Sequence, residues 1–240
     1  SLLIGKSDIK QVVTMHGMYE TLTPSQLESV MPLLSLRIDH FVFTADKNLT
    51  GFPDSFRRLK KFSRINNALP STLINPVGRD SLNIGQDDFV LCMVARGIPE
   101  KGWEEAIQAV NWANAHSARN IHLLLIGDGP EFDRLCDLKC SERVHFLGFR
   151  QNIRDYFATS DMGFLPSRFR GESAPLVVID CLLAGKPVLA SDIGEIRGML
   201  DSPEGLAGQL FSLRDWELDS EAIGQAIVDL ANQPSFYKVL

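Results

Sequence analysis

The sequence predicts an α/β protein. A doubly wound parallel sheet of Rossmann-like type is expected in the C-terminal part, preceded by a partial N-terminal Rossmann-like domain. Three observations predict this. Short continuous apolar runs recur, such as Ile121 through Ile126, as strands buried on both faces require. Between them lie stretches with apolar residues three and four apart, the signature of helices with one buried face. Gly and Pro punctuate the boundaries. A length of 240 residues suits one large domain or two modest ones.

In the N-terminal part, residues 11–15 read as a strand ending at His16-Gly17. A helix follows over 24–36, a strand over 40–45, a helix over 54–62 and a strand over 65–69, closed by Pro70. So few strands do not make an independent doubly wound sheet. Residues 1–75 therefore read as a truncated domain, or as a part that folds onto something outside this sequence, and 76–87, with two glycines, as a linker. The second domain is expected over 88–240. Its first strand, 89–95, ends at Arg96. The helix over 101–117 places Trp103, Ala106, Ile107, Val110 and Ala113 on one face. The strand over 121–126 is broken by Gly127-Asp128-Gly129-Pro130, and Pro130 opens a helix through Cys140. A strand over 144–147 precedes a short helix over 152–159 with Asn152 as N-cap. Then come a strand over 162–165, a helix over 175–184, a strand over 187–190, a short helix over 194–200, a strand over 208–213 and an amphipathic helix over 220–231.

Composition narrows the function. Hydrophobic residues at 45% and charged residues at 22% exclude wholesale disorder. A net charge of −6 argues against a globally basic nucleic-acid binder. No apolar run approaches the roughly 20 residues of a membrane span, and the first residues carry no secretory signal pattern. Cys92, Cys136, Cys140 and Cys181 read as reduced thiols of a cytoplasmic protein. Cys136 and Cys140 share a helix face, but no second pair completes a zinc-ligand spacing, so no metal is expected.

Ligands of open α/β sheets bind at the carboxyl ends of strands. Arg96 ends one strand and Lys101 opens the next helix. A guanidinium fork and an ammonium point charge across that turn suit a diphosphate, the alternative being two solvated charges. Gly127 and Gly129 would let a ligand approach the backbone, although a plain tight turn explains them equally well. Glu172 lies in the loop after a strand. Pro175 stands at a helix N-terminus, where the N–H groups of Leu176 and Val177 would form an anion site. Asp180, in the second turn, can accept two hydroxyl hydrogen bonds, as a ribose diol supplies. The plainer alternatives are a capping acid and a surface acid.

A loop acid (Glu172), seven residues, a second acid (Asp180), then Ala184-Gly185-Lys186-Pro187-Val188-Leu189-Ala190 resembles the retaining, metal-independent glycosyltransferases of family 4, which have the GT-B fold. The resemblance extends through Val94-Ala95-Arg96, Lys101-Gly102, Gly127-Asp128-Gly129-Pro130, Val144 to Gly148 and Pro166-Ser167, in order, over residues 88 to about 233. It implies that Arg96 and Lys101 hold the diphosphate of a nucleotide-sugar, UDP- or GDP-linked, and that Leu176 and Val177 bind its distal phosphate through their amides. Glu172 would contact the donor sugar, Asp180 the ribose, and Phe149-Arg150 would lie near the base. More loosely, Thr14 to Gly17 resembles the strand end whose histidine, here His16, reaches the donor sugar. The implied reaction transfers the sugar to an acceptor hydroxyl with retention. A sugar or lipid-linked saccharide acceptor and a role in polysaccharide or glycolipid synthesis follow, without a metal cofactor. Two departures stand out: Asp180 replaces the usual Glu, and Ala174-Pro175 the usual Phe-Gly. The alternatives are a non-catalytic nucleotide-sugar binding fragment and a retaining glycosidase using Glu172 and Asp180. A complete GT-B enzyme needs roughly 350 residues, so the chain reads as a donor domain with the end of its partner.

Residues 52–64 carry Phe52, Phe56, Leu59 and Phe62 at helical spacing among Arg57, Arg58, Lys60, Lys61 and Arg64. The favoured reading is a helix packed on its own sheet. The other is peripheral contact with an anionic membrane at its cytoplasmic face.

Overall fold

The computed structural model describes residues 9–17, 22–138 and 141–233. The chain divides into two units: residues 1–68 with 170–174, and residues 69–169 with 175–240.

The first unit holds β1 (Val12–Met15), α1 (Pro24–Arg37), β2 (His40–Phe43), α2 (Asp54–Leu59) and β3 (Lys61–Arg64), with a 3-10 turn at Asp46–Leu49. Its three strands pair in parallel in the order β1-β2-β3. A capping box opens α1. The Gln26 N–H donates to Thr23 Oγ1 at 3.3 Å, and the Thr23 N–H donates to Gln26 Oε1 at 2.9 Å. Aromatic rings fill the core. Phe41 stacks on Phe62 at 5.0 Å between centroids and Phe52 on Phe56 at 5.3 Å.

This corrects the expected helix over 54–62 and strand over 65–69. The helix stops at Leu59, and the strand is Lys61–Arg64, in register with β2. Phe62 lies three residues after Leu59, a spacing that a continued helix would also give. Pairing with β2 satisfies the backbone of 61–64 and sets Phe62 on Phe41, so the strand wins. The single helix over 52–64 is thereby shortened to Asp54–Leu59, while its favoured packing on the unit's own sheet holds: Phe52 and Phe56 are buried in that core, and Leu59 alone of the four is largely exposed.

The second unit contains β4 (Phe89–Val94), α3 (Trp103–His116), β5 (Ile121–Ile126), α4 (Pro130–Cys136), β6 (Val144–Gly148), α5 (Ile153–Thr159), β7 (Met162–Leu165), α6 (Leu176–Leu183), β8 (Val188–Ser191) and α7 (Ile196–Leu200). A two-residue-per-strand hairpin, β9 (Asp201–Ser202) with β10 (Gly205–Leu206), then leads to β11 (Gly208–Phe211) and α8 (Ser220–Ala231). Six strands pair in parallel in the order β11-β8-β7-β4-β5-β6. Counted from its own first strand, this is the doubly wound order 3-2-1-4-5-6, which reverses between β4 and β7.

The pleat of β4 shows why the sheet needs cover on both faces. Phe89, Leu91 and Met93 pack in one core with Trp103 and Ile107 of α3 and Ile223 and Ile227 of α8. Val90 and Cys92 pack in the other with Phe157, Val178, Cys181 and Ile196.

Three further expectations change. Residues 76–87 are not a free linker but part of the second unit, which begins at residue 69. Arg79 donates to the Thr159 carbonyl at 3.3 Å and to Asp161 Oδ2 at 3.1 Å, and Ile84 is buried. Helix α4 ends at Cys136, and Cys140 lies outside the described residues. Asn152 does stand at the N-cap of α5. Its side chain, however, donates to Asp155 Oδ2 at 2.8 Å instead of accepting a helix N–H. Among the described residues, no helix is long and apolar enough to cross a membrane.

Candidate functional site

In the second unit, the carboxyl ends of β4 and β7 flank the reversal of strand order, where open α/β sheets leave a crevice. Arg96 lies just beyond β4 and is exposed. Lys101 ends the 3-10 turn Pro99–Lys101 and is buried. The structure brings both cations to one ring beyond β7. Arg96 Cζ is 5.6 Å and Lys101 Nζ 5.0 Å from the centroid of Phe169. Neighbouring residues fix this arrangement. The Arg168 N–H donates to the Glu100 carbonyl at 2.8 Å, and Trp216 Nε1–H donates to the Arg168 carbonyl at 2.6 Å. The Arg168 guanidinium pairs with Glu105.

Gly127 and Gly129 have a packing reason of their own. Gly127 sits at φ +143, and a Cβ there would lie 1.9 Å from the Ala95 carbonyl oxygen. The loops after β4, β5 and β6 are laced by backbone bonds. The Gly97 N–H donates to the Asp128 carbonyl at 2.6 Å, that of Glu131 to the Gly97 carbonyl at 2.8 Å, and that of Gly127 to the Gly148 carbonyl at 3.1 Å. At the start of α4, hydrogen bonds from Arg134 hold the Glu131 carboxyl below its ordinary range, against the opposing effect of burial.

Beyond β6, Phe149 presents a ring that is 64% exposed. Arg150 turns back, donating from Nε to the Tyr156 hydroxyl at 3.0 Å and from Nη1 to the Phe149 carbonyl at 2.9 Å. At α6, Pro175 is the N-cap, and the Val178 N–H bonds the Pro175 carbonyl at 3.1 Å. Leu176 and Val177 occupy the first turn, whose N–H groups have no acceptor within the helix. Asp180 is not a solvated surface acid. Its Oδ1 accepts from Arg154 Nε at 2.7 Å, and both side chains are mostly buried. Arg154 Nη1 also donates to the Pro70 carbonyl at 2.6 Å and to Thr72 Oγ1 at 2.9 Å.

The other two candidates belong to the first unit. His16 is exposed directly beyond β1. Glu172 is buried in the segment 170–174. Among the bonds that hold that segment are those from Lys47 Nζ to the Arg170 carbonyl at 2.9 Å, from Asn48 Nδ2 to Ser173 Oγ at 3.0 Å, and from Asn67 Nδ2 to the Ala174 carbonyl at 2.7 Å.

Sequence reading missed Phe169, Arg154 and the Arg168–Trp216 brace. Phe169 lies inside the segment between Pro166-Ser167 and Glu172, so position was its one available signal. Arg154 had none, because its partners lie 26 and more than 80 residues away.

A family model described as "Glycosyl transferases group 1" matches residues 76–234. The exopolysaccharide phosphotransferase SCO2592 of Streptomyces coelicolor is 32% identical over 59% of this chain and 15% of its own length. The lipopolysaccharide core biosynthesis glycosyltransferase LpsD of Rhizobium meliloti is 32% identical over 48% of this chain and 33% of its own. The N-acetyl-alpha-D-glucosaminyl L-malate synthase of Bacillus anthracis is 30% identical over 47% of this chain and 30% of its own. The chain thus spans a third or less of the length of these relatives. Among solved structures, Anabaena HepE in complex with UDP-glucose matches with a TM-score of 0.72 at 20% identity, over 95% of this chain and 64% of that one. The sucrose-phosphate synthase of Thermosynechococcus elongatus matches with a TM-score of 0.71 at 19% identity, over 97% and 61%. At these identities the likeness is one of fold.

Proposed function

Since the chain belongs to the glycosyl transferases group 1 family and has a fold of GT-B type, we propose that it binds a nucleoside-diphosphate-sugar and serves sugar transfer to an acceptor hydroxyl with retention of configuration. The observation that carries this reading is the approach of both Arg96 and Lys101 to the Phe169 ring, beyond β4 and β7 at the reversal of strand order. In the reaction, the bond from the anomeric carbon to the diphosphate oxygen breaks. A bond to the acceptor oxygen forms, and the hydroxyl proton passes to the departing phosphate. Charge grows on the diphosphate. Two cations and the N–H groups of Leu176 and Val177 would stabilise it, each well-placed donor contributing about 3 kcal/mol. No metal is required in this scheme. Phe149 would carry the base, Asp180 the ribose, and Glu172 and His16 the hydroxyls of the sugar.

The named activities of the relatives support a hexosyl donor and a polysaccharide or glycolipid product. One acts in lipopolysaccharide core biosynthesis, and HepE was solved with UDP-glucose. The family is one of transferases, which leaves the glycosidase alternative without support. Calorimetry with UDP and GDP tests the reading. Arg96→Ala with Lys101→Ala should weaken binding of the preferred nucleotide by about 30-fold or more, as expected for two charge-assisted contacts. An unchanged affinity would refute the phosphate assignment. A transfer assay beside it separates turnover from binding alone.

A further inference from the structure

Arg96 and Lys101 carry like charges, and Lys101 is withdrawn from solvent as well, at 9% exposure. A site that gathers both before an anion arrives gains from a neighbour that attracts each. Their shared neighbour is Phe169, with Lys101 Nζ at 5.0 Å and Arg96 Cζ at 5.6 Å from its centroid. An aromatic face carries partial negative charge and attracts a cation without neutralising it.

We infer that Phe169 is a positioning residue for nucleotide binding, an aromatic platform that holds Arg96 and Lys101 ready for a diphosphate. The inference rests on the proposed function above and adds a residue to it. Bonds at the N–H of Phe169 and at the residue before it hold its backbone in place. The Ser167 hydroxyl accepts the Phe169 N–H at 3.2 Å. Next to it, the Arg168 N–H is bonded to the carbonyl of Glu100, the residue before Lys101. Ring and ammonium are thus tied together through adjacent backbone atoms. The Arg168 carbonyl takes the Trp216 indole N–H, and its guanidinium pairs with Glu105. This rigid support suits preorganisation, in which the cost of gathering like charges is met during folding and not during binding.

The test compares apolar bulk with aromatic character. Phe169→Leu keeps apolar bulk and removes the ring, whereas Phe169→Tyr keeps the ring. Calorimetry with UDP and GDP should show about a tenfold weaker Kd for Phe169→Leu and a change under about threefold for Phe169→Tyr, the size expected for a partly desolvated cation–π contact. In a Lys101→Met, Arg96→Met background, Phe169→Leu should add almost nothing. Melting curves without nucleotide establish that each variant folds. Wild-type affinity in Phe169→Leu, or equal losses in the Leu and Tyr variants, would overturn the platform while leaving the phosphate assignment standing. If the Arg96 and Lys101 substitutions themselves leave binding unchanged, the phosphate assignment falls and the platform with it.

Discussion

Asp180 shows how one side chain takes its properties from another. Arg154 holds the carboxylate from α5 and reaches with the same guanidinium to Pro70 and Thr72, so three parts of the second unit meet on one cation. Both groups are largely shielded, and removing one strands the other. Arg154→Ala should therefore cost about 3 kcal/mol in urea unfolding, well above the usual effect of an exposed arginine. Donor affinity should fall as well if Asp180 meets the ribose, because the carboxylate loses its fixed orientation. Backbone constraints are as sharp at Gly127. Its φ of +143 and the 1.9 Å that a Cβ would leave to the Ala95 oxygen exclude any side chain unless the loop moves. Gly127→Ala should lower stability by about 3 kcal/mol or prevent folding. A melting temperature within about 2 °C of the parent would contradict this.

At the scale of elements, β5 and β6 carry a second buried polar system, linked to the residue just before β4. His122 Nε2 lies 3.1 Å from Asp88 Oδ2, and His122 Nδ1 lies 2.9 Å from His145 Nε2. With both rings neutral, each contact has one donor and one acceptor, an assignment made from this pattern. Charging both rings sets two donors face to face. Burial pushes His122 down, with Asp88 opposing and Arg143 and Arg79 assisting. Burial, and then His122, push His145 down to about 4. The unfolded chain therefore binds more protons than the native one between about pH 6.5 and about 4. Stability is full above this window and declines as the pH falls through it, by about 2 kcal/mol. Urea titrations from about pH 7 to about pH 4 should show the loss, and His145→Gln should reduce the slope. An equal slope in that variant would assign the effect elsewhere.

Such pairs mark the limit of what could be read in advance. The strands and helices of the second unit were legible because each carries its own period and its own breakers. So were Arg96, Lys101 and α6, since they sit at strand ends or follow a recognisable breaker. The mistaken end of α2 came from Phe62, whose burial depends on Phe41 in another strand. Arg154, Phe169 and the His122–His145 contact are set by neighbours far along the chain, and local spacing carries no trace of them.

For the molecule as a whole, the two units differ in the size of their interiors. Among the described residues, the first unit buries a single aromatic cluster around Phe41, whereas the second buries residues on both faces of a six-stranded sheet. Amide exchange should therefore be at least about 100-fold slower in β4 and β5 than in β1 and β2. Comparable rates would mean that the two units open together. The boundary between the units is not a single cut in the chain. Residues 170–174 run between β7 and α6 yet cluster with residues 1–68. Anyone recombining this protein with a relative therefore inherits three junctions. A graft that exchanges only the first 68 residues parts Lys47, Asn48 and Asn67 from the segment they bind, and Glu172 travels with the wrong parent. Modularity here follows spatial neighbourhood, and the short segment 170–174 is the piece a clean exchange must carry across.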